Sequence, residues 1–221
     1  MYGRRIKDDI RLGQAEAKLL ADALKQGNID ARGVEQEKFI QFIELMIKWN
    51  RAYNLTSVRD PKQIIARHIM DSLAIMPWVT GQNILDIGTG AGLPGIPLAI
   101  MLPDTEFVLL DSNGKKCRFL VQAIRELQLD NVSVVKERVE EYFPGHKFDQ
   151  IVSRAFSSIS DMVLLSHHLC ASDGDFMAMK GIYPQAEMAD IPNGYRITGA
   201  HALEVPGLDG ERNLITLKFE D

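Results

Sequence analysis

The chain has 221 residues, of which 46% are hydrophobic and 25% charged, and its formal net charge is -5. These proportions are typical of a globular protein with a full hydrophobic core, and they exclude a collagen-like, disulfide-rich or wholly disordered chain. No apolar run reaches the roughly 18 residues that span a membrane, and no apolar signal segment follows the charged N-terminus. Two cysteines, Cys117 and Cys170, fit a reducing compartment better than a disulfide framework. We therefore expect a soluble, cytoplasmic protein.

The acidic balance argues against nucleic acid as a partner, because RNA and DNA phosphates require a basic surface. The charges, however, are unevenly distributed. Residues 1–80 contain 13 Lys and Arg against 10 Asp and Glu, whereas residues 81–221 contain 12 against 20. A surplus of this size is compatible with ordinary scatter, and equally with a basic surface in the first third of the chain.

Three helices are predicted before residue 80. Apolar residues at helical spacing predict the first helix over 8–25 and the second over 34–51. The third begins at Pro61, since Asp60 is a suitable N-cap acceptor and a proline costs no hydrogen bond in the first helical turn. The same pattern extends this helix to about residue 76.

From residue 83 onwards, short apolar runs alternate with helical stretches or turns. This alternation predicts βαβ units and a parallel sheet that is covered on both faces. The last two runs, 195–205 and 213–219, are joined by a glycine- and proline-containing loop and are predicted to pair in antiparallel fashion. We therefore expect an α/β fold with a mostly parallel sheet and an antiparallel C-terminal strand pair, divided into a helical region 1–80 and a second domain 81–221.

A glycine-rich turn follows the first predicted strand. Gly88, Gly90 and Gly92 permit positive φ angles and lack the Cβ atoms that would keep a ligand from the backbone, and the helix that begins near Gly95 offers free N–H groups. A nucleotide-like ligand is expected there. The spacing of glycines 90, 92 and 95 also satisfies the dinucleotide pattern G-x-G-x-x-G, so a nicotinamide-dependent oxidoreductase is one alternative.

Two acidic residues narrow the choice of ligand. Asp86 would face the pyrophosphate of NAD with like charge, whereas S-adenosylmethionine carries an ammonium and a sulfonium and no phosphate. Asp111, at the end of the second strand, could accept hydrogen bonds from ribose hydroxyls, a feature shared with NAD sites. The structural alternative is that Asp86 caps the turn and Asp111 caps the following helix. A small-molecule methyltransferase and a cofactor-binding module without catalysis also remain open.

Several longer motifs extend the pattern beyond the glycine loop. They are Trp49 to Ser57, Arg67 to Ser72, Asp86 to Pro97, Leu110 to Ser112 with Lys115 and Lys116, Arg138 to Glu141, Ser153 to Phe156, Met179 to Gly181, and Asp209 to Arg212. Through these motifs the chain resembles the ribosomal RNA small subunit methyltransferase G family (RsmG, also called GidB) from about Lys48 to Phe219.

This resemblance implies a class I, Rossmann-like methyltransferase domain over 81–221 that transfers a methyl group from S-adenosylmethionine to N7 of a guanine in 16S rRNA. It also implies cofactor contacts, which fall on Gly88, Leu93, Val139, Glu140 and Arg154. The loop argument adds Asp86, Gly90, Gly92 and Asp111 to this set. The expected partner is 16S rRNA or the small ribosomal subunit, including an assembly intermediate, and the protein is expected to act as a monomer.

The segment after the fourth strand, 153–156, contains neither the Asn-Pro-Pro-Tyr type of motif that orients an exocyclic amine nor a cysteine that could attack a ring carbon. Guanine N7 needs neither, because its lone pair lies in the ring plane and no proton is lost. Positioning is then sufficient for the reaction. We expect Arg154 and Lys180 to act catalytically, with Lys180 also reaching RNA, and Phe156 either to stack beneath the base or to be an ordinary core aromatic.

The densest basic cluster lies in the first third of the chain and is interleaved with Trp49 and Tyr53. It consists of Lys48, Arg51, Arg59, Lys62 and Arg67, and such a pattern favours RNA binding. His68 and Asp71 could form a base and its orienting carboxylate, although a structural role for them is favoured. His167, His168 and Cys170 lack further metal ligands, so no metal site is expected.

Overall fold

The computed structural model describes residues 10–154 and 156–220, and its centre is a single seven-stranded sheet. The sheet has the strand order β3-β2-β1-β4-β5-β7-β6. Strands β1 to β5 are parallel, whereas β7 runs antiparallel to both β5 and β6. The strands are β1 Asn83–Ile87, β2 Glu106–Leu110, β3 Val132–Val135, β4 Phe148–Ser153, β5 Cys170–Lys180, β6 Tyr195–Ala202 and β7 Asn213–Phe219. The predicted α/β sheet with an antiparallel terminal pair is confirmed, although β6 ends at residue 202 rather than 205.

The α-helices are α1 Gln14–Gln26, α2 Gly33–Tyr53, α3 Pro61–Ile64, α4 Asp71–Leu73, α5 Gly95–Met101, α6 Gly114–Leu127, α7 Ile159–Ser166 and α8 Gln185–Ala189. The first begins later than predicted, and positions 8 and 9 lie outside the described residues. The predicted third helix is instead composed of α3, a π-helical segment Ile65–Met70 and α4. It ends at residue 73, before a separate 3-10 turn at Met76–Trp78.

The N-terminal helices pack against α5 and α6, which lie on one face of the sheet, and they share the hydrophobic core on that side. Phe39 and Phe42 of α2 are fully buried in the same cluster as Leu109 of β2 and Phe119 of α6. The rings of Phe42 and Phe119 stack with centroids 6.2 Å apart. The opposite face is covered by α7, which packs on Phe148 and other strand residues. The hydrophobic cluster around Phe39 therefore includes residues from both sides of the expected boundary at residue 80.

The order of the strands positions the loops that carry function. Successive connections run to opposite sides of β1, because β2 lies on one side of it and β4 on the other. A crevice forms at such a reversal, outside the carboxyl ends of the strands, where ligands bind in open α/β sheets. The segments after β1, β2, β4 and β5 all reach this edge. In the described part of the chain, no helix is both long and apolar enough to cross a membrane.

Candidate active site

The glycine loop adopts the backbone that the sequence predicts. Gly88, Gly90 and Gly92 have φ values of 68°, 63° and 82°, a left-handed region that side chains rarely tolerate. The loop is fixed to β2, since the N–H groups of Gly88 and Thr89 both donate to the carbonyl oxygen of Leu110, at 2.9 and 3.2 Å. The loop is therefore held rigidly at the carboxyl end of β1.

The glycines of the loop are needed for different reasons. A Cβ atom on Gly92 would lie 2.5 Å from Cδ1 of Ile96, and one on Gly95 would lie 2.2 Å from Cδ2 of Leu109. A Cβ atom on Gly90, in contrast, would meet nothing closer than 3.8 Å. Gly92 is thus a packing glycine, and the room expected for a ligand is found above Gly90.

Asp86 lies beneath the loop rather than in a cavity wall. It is fully buried, and its Oδ2 accepts hydrogen bonds from the Thr89 hydroxyl at 2.7 Å and the Gly95 N–H at 2.8 Å. Burial raises the pKa of Asp86 to about 6, against the lowering effect of these two donors. Among the described residues, Oδ1 has no hydrogen-bond partner. Through these two bonds the Asp86 carboxylate closes the turn and caps the start of α5, and its contact with a ligand stays a prediction.

A cavity of about 320 Å³ lies beside the loop, at the ends of β2 and β3; we call it the Asp111 cavity. Asp111 Oδ2 accepts from the Gly90 N–H at 3.0 Å, and Oδ1 accepts from the Asn113 N–H at 2.8 Å. The ammonium of Lys116 lies 3.5 Å from Oδ2. Asp111 therefore fixes the loop and the start of α6, as the structural alternative suggested, while still bordering the cavity.

The structure brings several of the predicted cofactor residues together around this cavity and leaves others out. Its wall includes Gly88, Asp111, Val139, Glu140 and Phe156. Leu93, in contrast, is buried in the core beneath the loop, and Arg154 lines a different cavity. Phe156 is half-buried and packs against the hydrophobic cluster that includes α7, as a core aromatic does, whereas its stacking on a base stays a prediction.

The second cavity, also of about 320 Å³, surrounds a buried carboxylate and is called the Asp71 cavity. Asp71 Oδ2 lies 3.1 Å from Nη1 of Arg154, and Oδ1 lies 2.8 Å from Nε of Arg212. The Asp71 side chain is only 4% exposed, whereas the two arginines are 27% and 29% exposed. One carboxylate thus orients two guanidinium groups, one following β4 and one preceding β7. Arg212 was not predicted as a site residue, although the Asp209 to Arg212 motif was the signal for it.

His68 lies beside this cavity but is not paired with Asp71. Its Nδ1 donates to the carbonyl oxygen of Arg67 at 2.9 Å, so its Nε2 accepts from the Thr56 hydroxyl at 2.8 Å. Burial, and then the nearby Arg154 charge, lowers the pKa of His68 to about 4. The imidazole is therefore neutral at neutral pH and holds the backbone, which agrees with the structural role that was favoured.

Lys180 also borders the Asp71 cavity, but its charge is already paired. Its Nζ lies 2.8 Å from Oε2 of Glu187, and the side chain is 13% exposed. The same carboxylate oxygen accepts the N–H of Ile159 at 2.8 Å. Lys180 is consequently tied to the start of α7 and is less available to a phosphate than the sequence suggested.

The predicted basic cluster is divided by the fold. Arg51 and Arg59 line one groove, and Arg67 lines the Asp71 cavity. Lys48 lies in another recess with the carboxylates of Glu44 and Glu126, and Lys62 is exposed on α3. Arg51, Arg59 and Arg67 thus line two recesses that share Val58, whereas Lys48 lines a different one.

The two aromatic residues interleaved with that cluster are Trp49 and Tyr53. The Trp49 ring packs against those of Tyr53 and Phe119, at 4.9 and 5.7 Å between centroids. Trp49 therefore anchors α2 to α6, and the more exposed ring of Tyr53 covers it.

The two thiols and His167 are not among the residues that line these two cavities. Burial raises the pKa of the Cys117 thiol, and raises that of Cys170 to about 12, so both are protonated at neutral pH. His167 Nδ1 is hydrogen-bonded to the Tyr195 hydroxyl at 2.7 Å. Within residues 10–154 and 156–220, no group of three or more potential metal ligands is assembled.

Comparison with known proteins identifies relatives along most of the chain. The family model for rRNA small subunit methyltransferase G matches residues 35–215. Ribosomal RNA small subunit methyltransferase G from Marinobacter nauticus is 50% identical over 196 residues, which cover 89% of this chain and 92% of that protein. The protein of the same name from Psychromonas ingrahamii is 47% identical over 199 residues, covering 90% and 96%.

Solved structures of more distant proteins share the fold. The glycopeptide N-methyltransferase MtfA aligns with a TM-score of 0.56 at 11% identity, covering 69% of this chain and 94% of that one. The ribosomal protein L11 methylase from Lactobacillus delbrueckii subsp. bulgaricus aligns with a TM-score of 0.52 at 16% identity, covering 69% and 77%. The predicted class I methyltransferase fold is confirmed.

Proposed function

This chain belongs to the rRNA small subunit methyltransferase G family, and we propose that it transfers a methyl group from S-adenosylmethionine to N7 of a guanine in 16S rRNA. The observation that carries the proposal is the family match over residues 35–215. It is supported by two adjacent features of the fold, a cavity beside a glycine loop and an arginine-lined cavity at the same edge of the sheet.

The Asp111 cavity fits the cofactor. Gly88, Asp111, Val139 and Glu140 would hold it, and the open space above Gly90 lets a ligand approach the loop backbone. The buried Asp86 contributes indirectly, since its Oδ1, which has no hydrogen-bond partner among the described residues, is an acceptor beneath the loop that suits a cationic ligand better than a pyrophosphate. When bound, S-adenosylmethionine supplies an electrophilic methyl group.

The Asp71 cavity suits the guanine and the sugar-phosphate attached to it. Arg154 and Arg212 each use part of their guanidinium group on Asp71, and the remaining N–H groups can donate to guanine O6 or to a phosphate oxygen. A purine methylated at N7 becomes cationic. The carboxylates of Asp71 and Glu187 partly neutralise the surrounding cations and make that charge tolerable.

The geometry also agrees with a reaction that needs no proton transfer. His68 uses both ring nitrogens on the protein, and Lys180 is paired with Glu187. Since guanine N7 has a free lone pair, the contribution of the protein is to hold the base and the cofactor in line. Arg154 and Arg212 are then the residues that orient the base, and Lys180 acts mainly by fixing the end of β5.

We propose further that the protein acts in the cytoplasm as a monomer, on 16S rRNA either in the small subunit or in an assembly intermediate. The RNA would contact the exposed members of the basic cluster. Phe156 would stack against the adenine of the cofactor, because it borders the Asp111 cavity rather than the Asp71 cavity.

A transfer assay tests this function. Labelled methyl transfer to total RNA from a strain that lacks this protein should label 16S rRNA, and chemical cleavage at 7-methylguanosine should then identify one guanine. Arg154→Ala should lose the activity, whereas Arg125→Ala, an exposed arginine of α6, should retain it. Label on another rRNA or on an exocyclic nitrogen would contradict the proposal, and thermal stabilisation by NADH but not S-adenosylhomocysteine would favour an oxidoreductase.

A further inference from the structure

A groove of about 280 Å³ adjoins the Asp71 cavity. We call it the Arg51 groove; its wall consists of Ile47, Asn50, Arg51, Asn54, Val58 and Arg59. Val58 also lines the Asp71 cavity. The groove and the cavity are therefore neighbours, and the Val58 segment forms the ridge between them.

This ridge is fixed from both of its flanking helices. Asn50 of α2 accepts the Thr56 N–H at 3.0 Å and donates to the Val58 carbonyl oxygen at 3.3 Å. The Thr56 hydroxyl accepts the Val58 N–H at 3.1 Å and donates to Nε2 of His68 at 2.8 Å. Asn50 and His68 are both buried. A surface loop is thus held by two buried polar side chains, and its shape is set before any ligand arrives.

The charge of the groove favours an anion. Arg51 and Arg59 are exposed, and in the described part of the chain neither forms a hydrogen bond or an ion pair through its side chain. The groove wall contains no carboxylate. Lys48, by comparison, lies beside Glu44 and Glu126 in its own recess. Two unpaired guanidinium groups on one groove suit the phosphate oxygens of a nucleic acid, which arginine can contact through paired N–H groups.

We propose that the Arg51 groove binds the nucleotide next to the methylated guanosine, so that single-stranded RNA crosses the Val58 ridge with one base on each side. The inference rests on the proposed function, because it takes the Asp71 cavity as the site of the guanosine. Proteins that act on or read individual bases commonly recognise them when they are unstacked from their neighbours. The preformed ridge would hold the two bases apart and leave N7 of the guanine accessible.

The proposal is tested by comparing two double variants of the full chain. Arg51→Ala/Arg59→Ala removes the charges of the groove, and Arg32→Ala/Arg125→Ala removes two exposed arginines from elsewhere. For single-stranded RNA, each lost phosphate contact lowers the slope of log affinity against log salt by about 0.7, so two contacts lower it by about 1.4. When the salt is raised from 50 to 200 mM, the factor by which RNA affinity falls should then be about sevenfold smaller for the groove variant than for the wild type. The control variant should match the wild type.

A second measurement locates the neighbouring nucleotide directly. Once the modified guanine is known, an RNA oligonucleotide carrying 4-thiouridine beside it should crosslink to the 47–59 segment in the wild-type protein. An unaltered salt slope in the groove variant, or a crosslink outside 47–59, would overturn the proposal. If wild-type protein methylates 16S rRNA normally while these results are negative, only the groove assignment fails. If the wild type transfers no methyl group to 16S rRNA, the proposed function itself fails.

Discussion

Replacing Asp86 with asparagine should remove a pH dependence of stability that the wild-type protein owes to one buried carboxyl group. Burial raises the pKa of Asp86 from its ordinary value of 3.8 to about 6 in the folded chain. The folded state therefore binds more protons than the unfolded state between these two pH values, and the free energy of unfolding falls as pH rises through that window. Roughly two pH units at about 1.36 kcal/mol each give a loss of about 3 kcal/mol.

Urea unfolding at a series of pH values from 4 to 8 measures this effect. Groups that titrate alike in both proteins cancel, so the difference between wild type and Asp86→Asn isolates the one carboxyl group. Above pH 6 the wild type should have lost about 3 kcal/mol relative to the variant. Thr89→Val is a useful companion, because it removes a hydroxyl whose hydrogen bond lowers the pKa of Asp86. The decline in stability should then extend to higher pH.

Parallel stability curves for the wild type and Asp86→Asn would refute this reasoning. A carboxyl carbon signal of Asp86 that titrates near its ordinary value would refute it independently, and would mean that water reaches the carboxylate beneath the loop. The alternative explanation, that the substitution disturbs the loop in general, predicts a constant offset in the free energy of unfolding instead of a pH-dependent one.

The remaining predictions concern the glycine loop, the two thiols and the Asp71 cavity. Gly90→Ala should lower the free energy of unfolding by about 1–2 kcal/mol, because a side chain is placed at positive φ, and calorimetry should show weaker binding of S-adenosylhomocysteine. Gly95→Ala should lower it by about 1–3 kcal/mol through overpacking against the core. Cys117→Ser/Cys170→Ser should keep methyl transfer within a fewfold of wild type, and loss of activity in the folded variant would indicate ring-carbon chemistry. Asp71→Asn should lower the free energy of unfolding by about 1–3 kcal/mol, which is less than for a fully buried pair because both arginines are partly hydrated. It should also raise KM for RNA without changing cofactor affinity. Unchanged RNA kinetics would mean that the two arginines do not contact the substrate.

The sequence alone was sufficient for features that depend on neighbours along the chain. The glycine loop is an example, because Gly88, Gly90 and Gly92 have positive φ values that glycine adopts without the steric strain other residue types would incur. The N-cap at Asp60, whose side chain accepts the Lys62 N–H, and the antiparallel pairing of the last two strands were likewise predicted. Hydrophobic periodicity and turn chemistry are local properties, so they determine helices, strands and the sheet class.

The sequence alone could not predict which polar side chains are buried or which of them form ion pairs with each other. Asp86 had to be placed in three dimensions before its carboxylate proved to lie under the loop, and the ion pairs that join Asp71 to Arg154 and Arg212 connect positions 83 and 141 residues apart. Lys48 was grouped with the RNA-binding cluster, but in the structure it lines a recess together with Glu44 and Glu126. Each of these outcomes depends on which side chains meet in the folded chain. The interaction energy of a charge depends in turn on how much solvent remains around it after folding. The sequence by itself therefore determined the fold class and the glycine loop, whereas only the tertiary structure decided which charges share a cavity and which are already neutralised.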